Sequence, residues 1–130
     1  MYLFVYGTLR KGASAYDYYL KDYVVHRFKG YVKGCLYQVK GASYPALLKG
    51  DRYIVGDVFE VNEDFDFYNL DQYEGYYGKD DPDNLYDRKE VELYNQQHER
   101  IGIGYCYFYR IEPEYIERNL TFIESNDFFK

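Results

Sequence analysis

The 130-residue chain has no Trp, one Met, three Pro, two Cys and two His. Cys35 and Cys106 stand far apart, without the CxxC spacing of a redox or zinc motif. They read as free, buried thiols of a cytosolic protein. His26 and His98 have no partner at metal-ligand spacing, so both read as surface residues and no metal or cofactor is expected. No Lys/Arg block exceeds two residues, and 22 acidic against 16 basic residues give a net charge of −6. Nucleic acid rewards clustered cations, so a nucleic-acid partner is disfavoured even for a Tyr-rich sheet. No apolar run approaches the roughly 18–20 residues of a spanning helix, and no membrane partner is expected. The N-terminus lacks a basic flank, an apolar h-region and a small-residue cleavage site. With a core strand at residues 2–6, the mature chain is expected to start near Met1 and to be cytoplasmic.

What the chain does have is tyrosine. Twenty Tyr bring the aromatic share to 22%, and apolar residues make up 47%. That is enough for one core, and a single domain over 1–130 is expected. A buried Tyr needs a partner for its hydroxyl, so many of these rings are expected at half-exposed positions or around a polar cavity.

The opening Tyr2-Leu-Phe-Val-Tyr6 is an apolar run that ends at Gly7-Thr8, which reads as a buried strand feeding a tight loop. Gly7 allows a sharp turn and a close ligand, and successive amides of such a loop can converge on an anion. Ser14 reads as the N-cap of a short helix through Leu20, with Asp17 at N3. Residues 24–40 read as two strands punctuated by glycine, Tyr44-Pro45 as a turn, and Ile54–Val61 as another strand. Asn62 to Gly75 reads as one helix, capped by Asn62 and closed by Gly75. On it Phe67, Leu70, Tyr73 and Glu74 share a stripe, so Glu74 flanks the buried face. An acid in the last helical turn opposes the dipole. Residues 76–85 form an acidic loop that reads equally as a lid or as a solvated insertion. Residues 88–93 and 100–109 read as strands. The pattern is α+β: a small mixed β-barrel with short helices packed outside.

Taken in order, Tyr6-Gly-Thr-Leu9, Gly34-Cys-Leu-Tyr37, Tyr44-Pro-Ala46, Val55-Gly-Asp-Val58, Leu70-Asp-Gln-Tyr-Glu-Gly75 and Tyr86-Asp-Arg88 resemble the gamma-glutamylcyclotransferase-like family over residues 1 to about 110. From the residues alone, one carboxylate beside a loop of donors suits proton transfer near a carbonyl or carboxylate. The resemblance implies more. It implies release of 5-oxoproline from a gamma-glutamyl amine or peptide by attack of the substrate's own α-amine. Glu74 is then the general base and acid, and the substrate-binding residues are Tyr6, Gly7, Thr8, Leu9, Tyr86 and Arg88. The leaving group is an amino acid, an isopeptide lysine or another amine. The acidic loop points to a cationic one.

Within that set, Arg88 reads more as a brace for a buried acid or for the loop than as a substrate contact. Asp71 reads equally as support for Glu74 or as an ordinary helix residue. Tyr44 is expected to serve a rigid turn, and Arg10 to track the surface. Family members often end in a GDW-like stretch. Ser125-Asn-Asp-Phe128 stands in that place, with Asn taking Gly's left-handed position and Phe taking the packing role of Trp. The alternative reading is a non-catalytic small-molecule binding module on the same fold.

Overall fold

Six strands and a few short helices make up the protein, and the computed structural model describes residues 1–130. In chain order they are β1 (Tyr2–Val5), α1 (Tyr16–Tyr19), β2 (Val24–Val39), β3 (Pro45–Val61) and α2 (Phe67–Glu74). Then come β4 (Tyr86–Tyr94), β5 (Arg100–Tyr109), a 3₁₀ turn at Pro113–Tyr115, α3 (Ile116–Asn119) and β6 (Leu120–Phe122). The strands run β3-β1-β5-β4-β2, and β2 pairs again with β3, so the sheet closes on itself while β6 adds to β2. The closing β2–β4 contact is a single pair, Tyr31 with Tyr94. β1 is antiparallel to β3 and parallel to β5. This is the mixed, barrel-like α+β fold expected from the pattern. No helix is long and apolar enough to cross a membrane.

β1 explains its own sequence. Phe4 joins Val32, Leu36, Leu47, Ile54, Val58, Leu93 and Cys106, residues drawn from all five strands of the ring. Leu3 and Val5 point the other way and pack with Leu20, Phe59 and Leu70, beneath α1 and α2. A strand buried on both faces has no polar side, hence the continuous apolar run. Cys35 and Cys106 are both free, with Cys106 buried and Cys35 half-buried. His26 and His98 are exposed.

Four local expectations need correction. The two strands read over residues 24–40 are one strand, Val24–Val39, because Gly34 is an irregularity within it rather than a break: the pairing with β3 shifts register between Gly34 and Cys35, and a Cβ at Gly34 would lie 2.7 Å from Leu47 Cδ1 and 2.9 Å from the Leu48 carbonyl. Glycine serves the close approach of the neighbouring strands. β3 begins at Pro45 rather than Ile54, since Pro45 occupies the first strand position, where a missing N–H costs no ladder bond. The helix at 62–75 is shorter than read. Asp66 is its cap, accepting from the Tyr68 amide at 2.8 Å, while Asn62 accepts from the Asp64 amide in a separate turn. Ser14 caps nothing, because α1 follows Ala15, whose amide is tied to the Thr8 carbonyl at 2.9 Å. Gly75 does close α2, in the left-handed conformation at φ 68°.

Candidate active site

Where β1 ends, the chain turns into the loop that precedes α1. Its carbonyls are used internally: Gly7 accepts from the Arg10 amide at 3.0 Å and Thr8 from the Ala15 amide. The amides of Gly7, Thr8 and Leu9 donate to no protein group. Unpaired N–H groups in succession form the donor-rich wall that the sequence suggests. Gly7 is required for a different reason than expected. A Cβ there would stand 2.6 and 2.7 Å from the Pro45 ring, so the absent side chain makes room for the start of β3.

The loop is fixed from behind. Asp57 accepts from the Lys11 amide at 3.0 Å, and Arg10 Nη1 donates to Asp127 at 2.9 Å, with its Nε 3.8 Å from Asp57. The Arg10 side chain is 11% exposed. It does not track the surface, because two buried carboxylates draw it inward. Asp127 reaches it because Asn126 adopts φ 62°, the left-handed position read from the C-terminal motif. Phe128 packs against the Phe4 and Tyr6 cluster, behind the loop rather than in the cavity wall.

In front of the loop lies a cavity of about 200 Å³. Tyr6, Gly7, Thr8 and Leu9 form one wall; Tyr73 and Glu74 come from the α2 end and Leu85 from the loop before β4; Phe4, Val5, Tyr44, Pro45, Tyr86 and Tyr107 complete it. The volume lies below the roughly 300 Å³ at which drug-sized sites begin, so one small group fits. No Lys or Arg lines it.

Glu74 is held here by the end of α2, which Gly75 stops and Leu70 anchors in the core. Glu74 as a residue is half-buried and lines the cavity, while its carboxyl is surrounded by protein. Burial first, and then the Asp71 charge, push that carboxyl from the ordinary 4.5 up to about 8. No hydrogen bond or cation offsets the desolvation.

The tyrosines around Glu74 have their hydroxyl protons committed elsewhere. Tyr86 donates to the Pro45 carbonyl at 2.6 Å, Tyr6 to the Tyr107 carbonyl at 2.5 Å, and Tyr107 to Asp71 at 2.5 Å. Burial raises all three phenols, and the Glu74 charge adds to each. They stay protonated through the physiological range. Across the mouth, Tyr73 Oη and Thr8 Oγ1 lie 3.0 Å apart, linking α2 to the loop.

Of the residues singled out from sequence, Tyr6, Gly7, Thr8, Leu9, Glu74 and Tyr86 meet in one cavity, and Tyr44 joins them. Arg88 does not. It stands outside the wall, 3.3 Å from Asp71 and 3.9 Å over the Phe67 ring, the bracing position. Sequence reasoning missed Tyr73, Leu85 and Tyr107 as cavity residues. Tyr73 carried a signal, since it shares the helix stripe with Glu74. Tyr107 carried none, being one of several aromatics in β5. Leu85 reaches the rim because Asn84 pins the end of the acidic loop: it accepts from the Tyr77 amide and donates to the Gly78 carbonyl and to Asp87.

Known proteins are similar to this chain in sequence and in fold. The chain is 34% identical over 105 residues to the gamma-L-glutamyl-butirosin B gamma-glutamyl cyclotransferase of Niallia circulans, a match covering 81% of this chain and 65% of that protein. Among solved structures, an AIG2-like protein from Mus musculus superposes with a TM-score of 0.67 at 22% identity, covering 88% of this chain and 81% of its own. An uncharacterized protein from Pyrococcus horikoshii gives 0.62 at 25% identity, covering 98% and 89%. The family model described as "Gamma-glutamyl cyclotransferase, AIG2-like" matches residues 3–130, and the chain belongs to that family.

Proposed function

We propose that the protein releases 5-oxoproline from a gamma-glutamyl amine or peptide. In this reading the glutamyl carboxylate docks on the free amides of Gly7, Thr8 and Leu9. Folding the chain back brings its α-nitrogen to its own γ-carbonyl. Intramolecular attack from a fixed pose is worth roughly 7–11 kcal/mol, so the protein needs little beyond positioning and proton transfer. Ionised Glu74 takes a proton from the ammonium, and the new C–N bond closes the five-membered lactam. The protonated carboxyl then gives that proton to the departing nitrogen as its bond to the γ-carbon breaks, and the ring nitrogen's second proton passes through Glu74 to the released amine, which leaves as an ammonium. Tyr6, Thr8, Leu9 and Tyr86 shape the pocket. Arg88 acts only through Asp71, which narrows the role carried over from the family motif.

The observation that carries this reading is the Glu74 carboxyl, left without any partner and poised near 8, across a small cavity from unpaired amides. A general base that must also return a proton works best near the operating pH. A module that only binds a glutamyl anion gains nothing from a partnerless carboxyl beside it. The Niallia relative, named for a gamma-glutamyl compound, supports the same substrate class. The test is incubation with gamma-glutamyl amines and dipeptides that differ in leaving group, with 5-oxoproline as the readout. Release from at least one is expected; no release from any overturns the reading.

A further inference from the structure

The cavity is divided by hydrogen-bonding sense. On the loop wall stand unpaired donors, the amides of Gly7, Thr8 and Leu9. Away from the loop, the hydroxyls of Tyr86 and Tyr107 each spend their one proton on a carbonyl or a carboxylate. A phenol has a single proton, and once it is given away the oxygen can only accept. This wall therefore offers oxygen acceptors and the Glu74 carboxyl, with no Lys or Arg to compete. The complementary ligand group is a cation with several N–H donors. The split fits an α-amino acid, whose carboxylate and ammonium ask for opposite walls.

Tyr107 is the member whose sense is set by a second side chain. Its partner Asp71 is itself held by Arg88 at 3.3 Å, and Arg88 lies over the Phe67 ring. We propose that Tyr107, kept as a hydrogen-bond acceptor by Asp71, receives the ammonium of the bound glutamyl group beside Glu74, with Asp71 as its positioning residue. The proposal rests on the cyclotransferase reading for the ligand. It adds a recognition site for the amine that the carboxylate loop and the base do not provide. Replacing Asp71 with Asn reverses the sense: the amide Nδ2 can donate to Tyr107, and the phenol proton then turns into the cavity, against the ammonium.

The test compares L-glutamate with glutarate, which differs only in lacking the amine. Both are titrated into the whole protein at one pH, and amide shifts of the Gly7–Leu9 segment are followed by NMR. The wild type is expected to prefer glutamate by about tenfold to a hundredfold, the range for a hydrogen bond to a charged group. Tyr107→Phe and Asp71→Asn should each erase most of that preference and leave glutarate affinity unchanged. The double variant should lose no more than either single one, since Asp71 acts through Tyr107. A mere structural role would weaken both ligands alike, which would overturn the proposal, as would a preference that survives Tyr107→Phe. Running the 5-oxoproline panel on the same wild-type sample separates the two claims. Preference for the amine without 5-oxoproline sustains the Tyr107 site and removes the cyclotransferase reading. 5-Oxoproline without the preference does the reverse.

Discussion

Asp57 on β3 and Glu74 at the end of α2 flank the same N-terminal loop, and both hold a carboxyl away from water. Asp57 is 4% exposed and surrounded by donors: the Lys11 amide at 3.0 Å, Arg27 at 3.4 Å and Arg10 Nε at 3.8 Å. Glu74 has none, and its nearest charged influence is another acid, Asp71. A buried charge is tolerated when paired and hydrogen-bonded; otherwise the group shifts its pKa and neutralises. The two carboxyls show both outcomes within one loop's reach. Asp57 fixes the loop, whereas Glu74 is left able to gain and lose a proton. On the proposed mechanism, partnering rather than depth separates the structural acid from the chemical one.

The sharpest way to break this contrast is Glu74→Gln. It should lower 5-oxoproline release by roughly 10²–10⁴-fold, the usual worth of a general acid–base group, with far-UV circular dichroism and glutamate binding near wild type. Wild-type turnover by this variant would remove Glu74 from the mechanism.

The same contrast has a stability consequence with a definite sign. Glu74 binds its proton more tightly folded than unfolded, so folding takes up a proton between about 4.5 and about 8. Its contribution is fully present below about 4.5 and is lost as pH rises through about 8. Urea midpoints of the wild type should therefore fall across this window relative to Glu74→Gln, by an amount on the order of a few kcal/mol at most. Parallel pH profiles for the two proteins would contradict the unpartnered burial of Glu74.

Asp57→Ala should behave oppositely. It strips the Lys11 amide and Arg10 Nε of their acceptor and should destabilise by about 3 kcal/mol, the low end for breaking a buried ion pair, because Asp127 still holds Arg10. Activity per folded molecule should fall far less than in Glu74→Gln. Smallest is Gly7→Ala, which forces a methyl against Pro45 and should cost about 1–3 kcal/mol in thermal or urea unfolding. It also shifts the loop that the two carboxyls flank, so KM should rise more than kcat falls.

Much of this was legible in the residues because the relevant signals are local. β1, β5 and the Gly75 stop follow from an apolar run, strand-forming residues and a glycine. The pairing of loop and helix end at the cavity came from motif order and from the placement of Glu74 on the buried stripe of α2. What escaped depends on contacts between distant segments. Gly34 looks like a break between strands until Leu47 and the Leu48 carbonyl are packed against it. Arg10 looks like a surface residue until Asp127, far along the chain, arrives beside Asp57. Asn62 reads as the cap until Phe65 is buried in the core, and the helix then starts at Asp66. The direction in which Tyr107 spends its proton is beyond any periodicity, since it requires α2 and β5 to lie side by side.

The measurement that bears most directly on the central claim is a carbon-detected NMR titration of the Glu74 side-chain carboxyl, assigned by comparison with Glu74→Gln. An unpartnered, buried proton carrier titrates with a midpoint near 8, and the acid limb of kcat/KM for 5-oxoproline release follows the same midpoint. A midpoint near the ordinary 4.5 would show a solvated or paired carboxyl and would contradict the account.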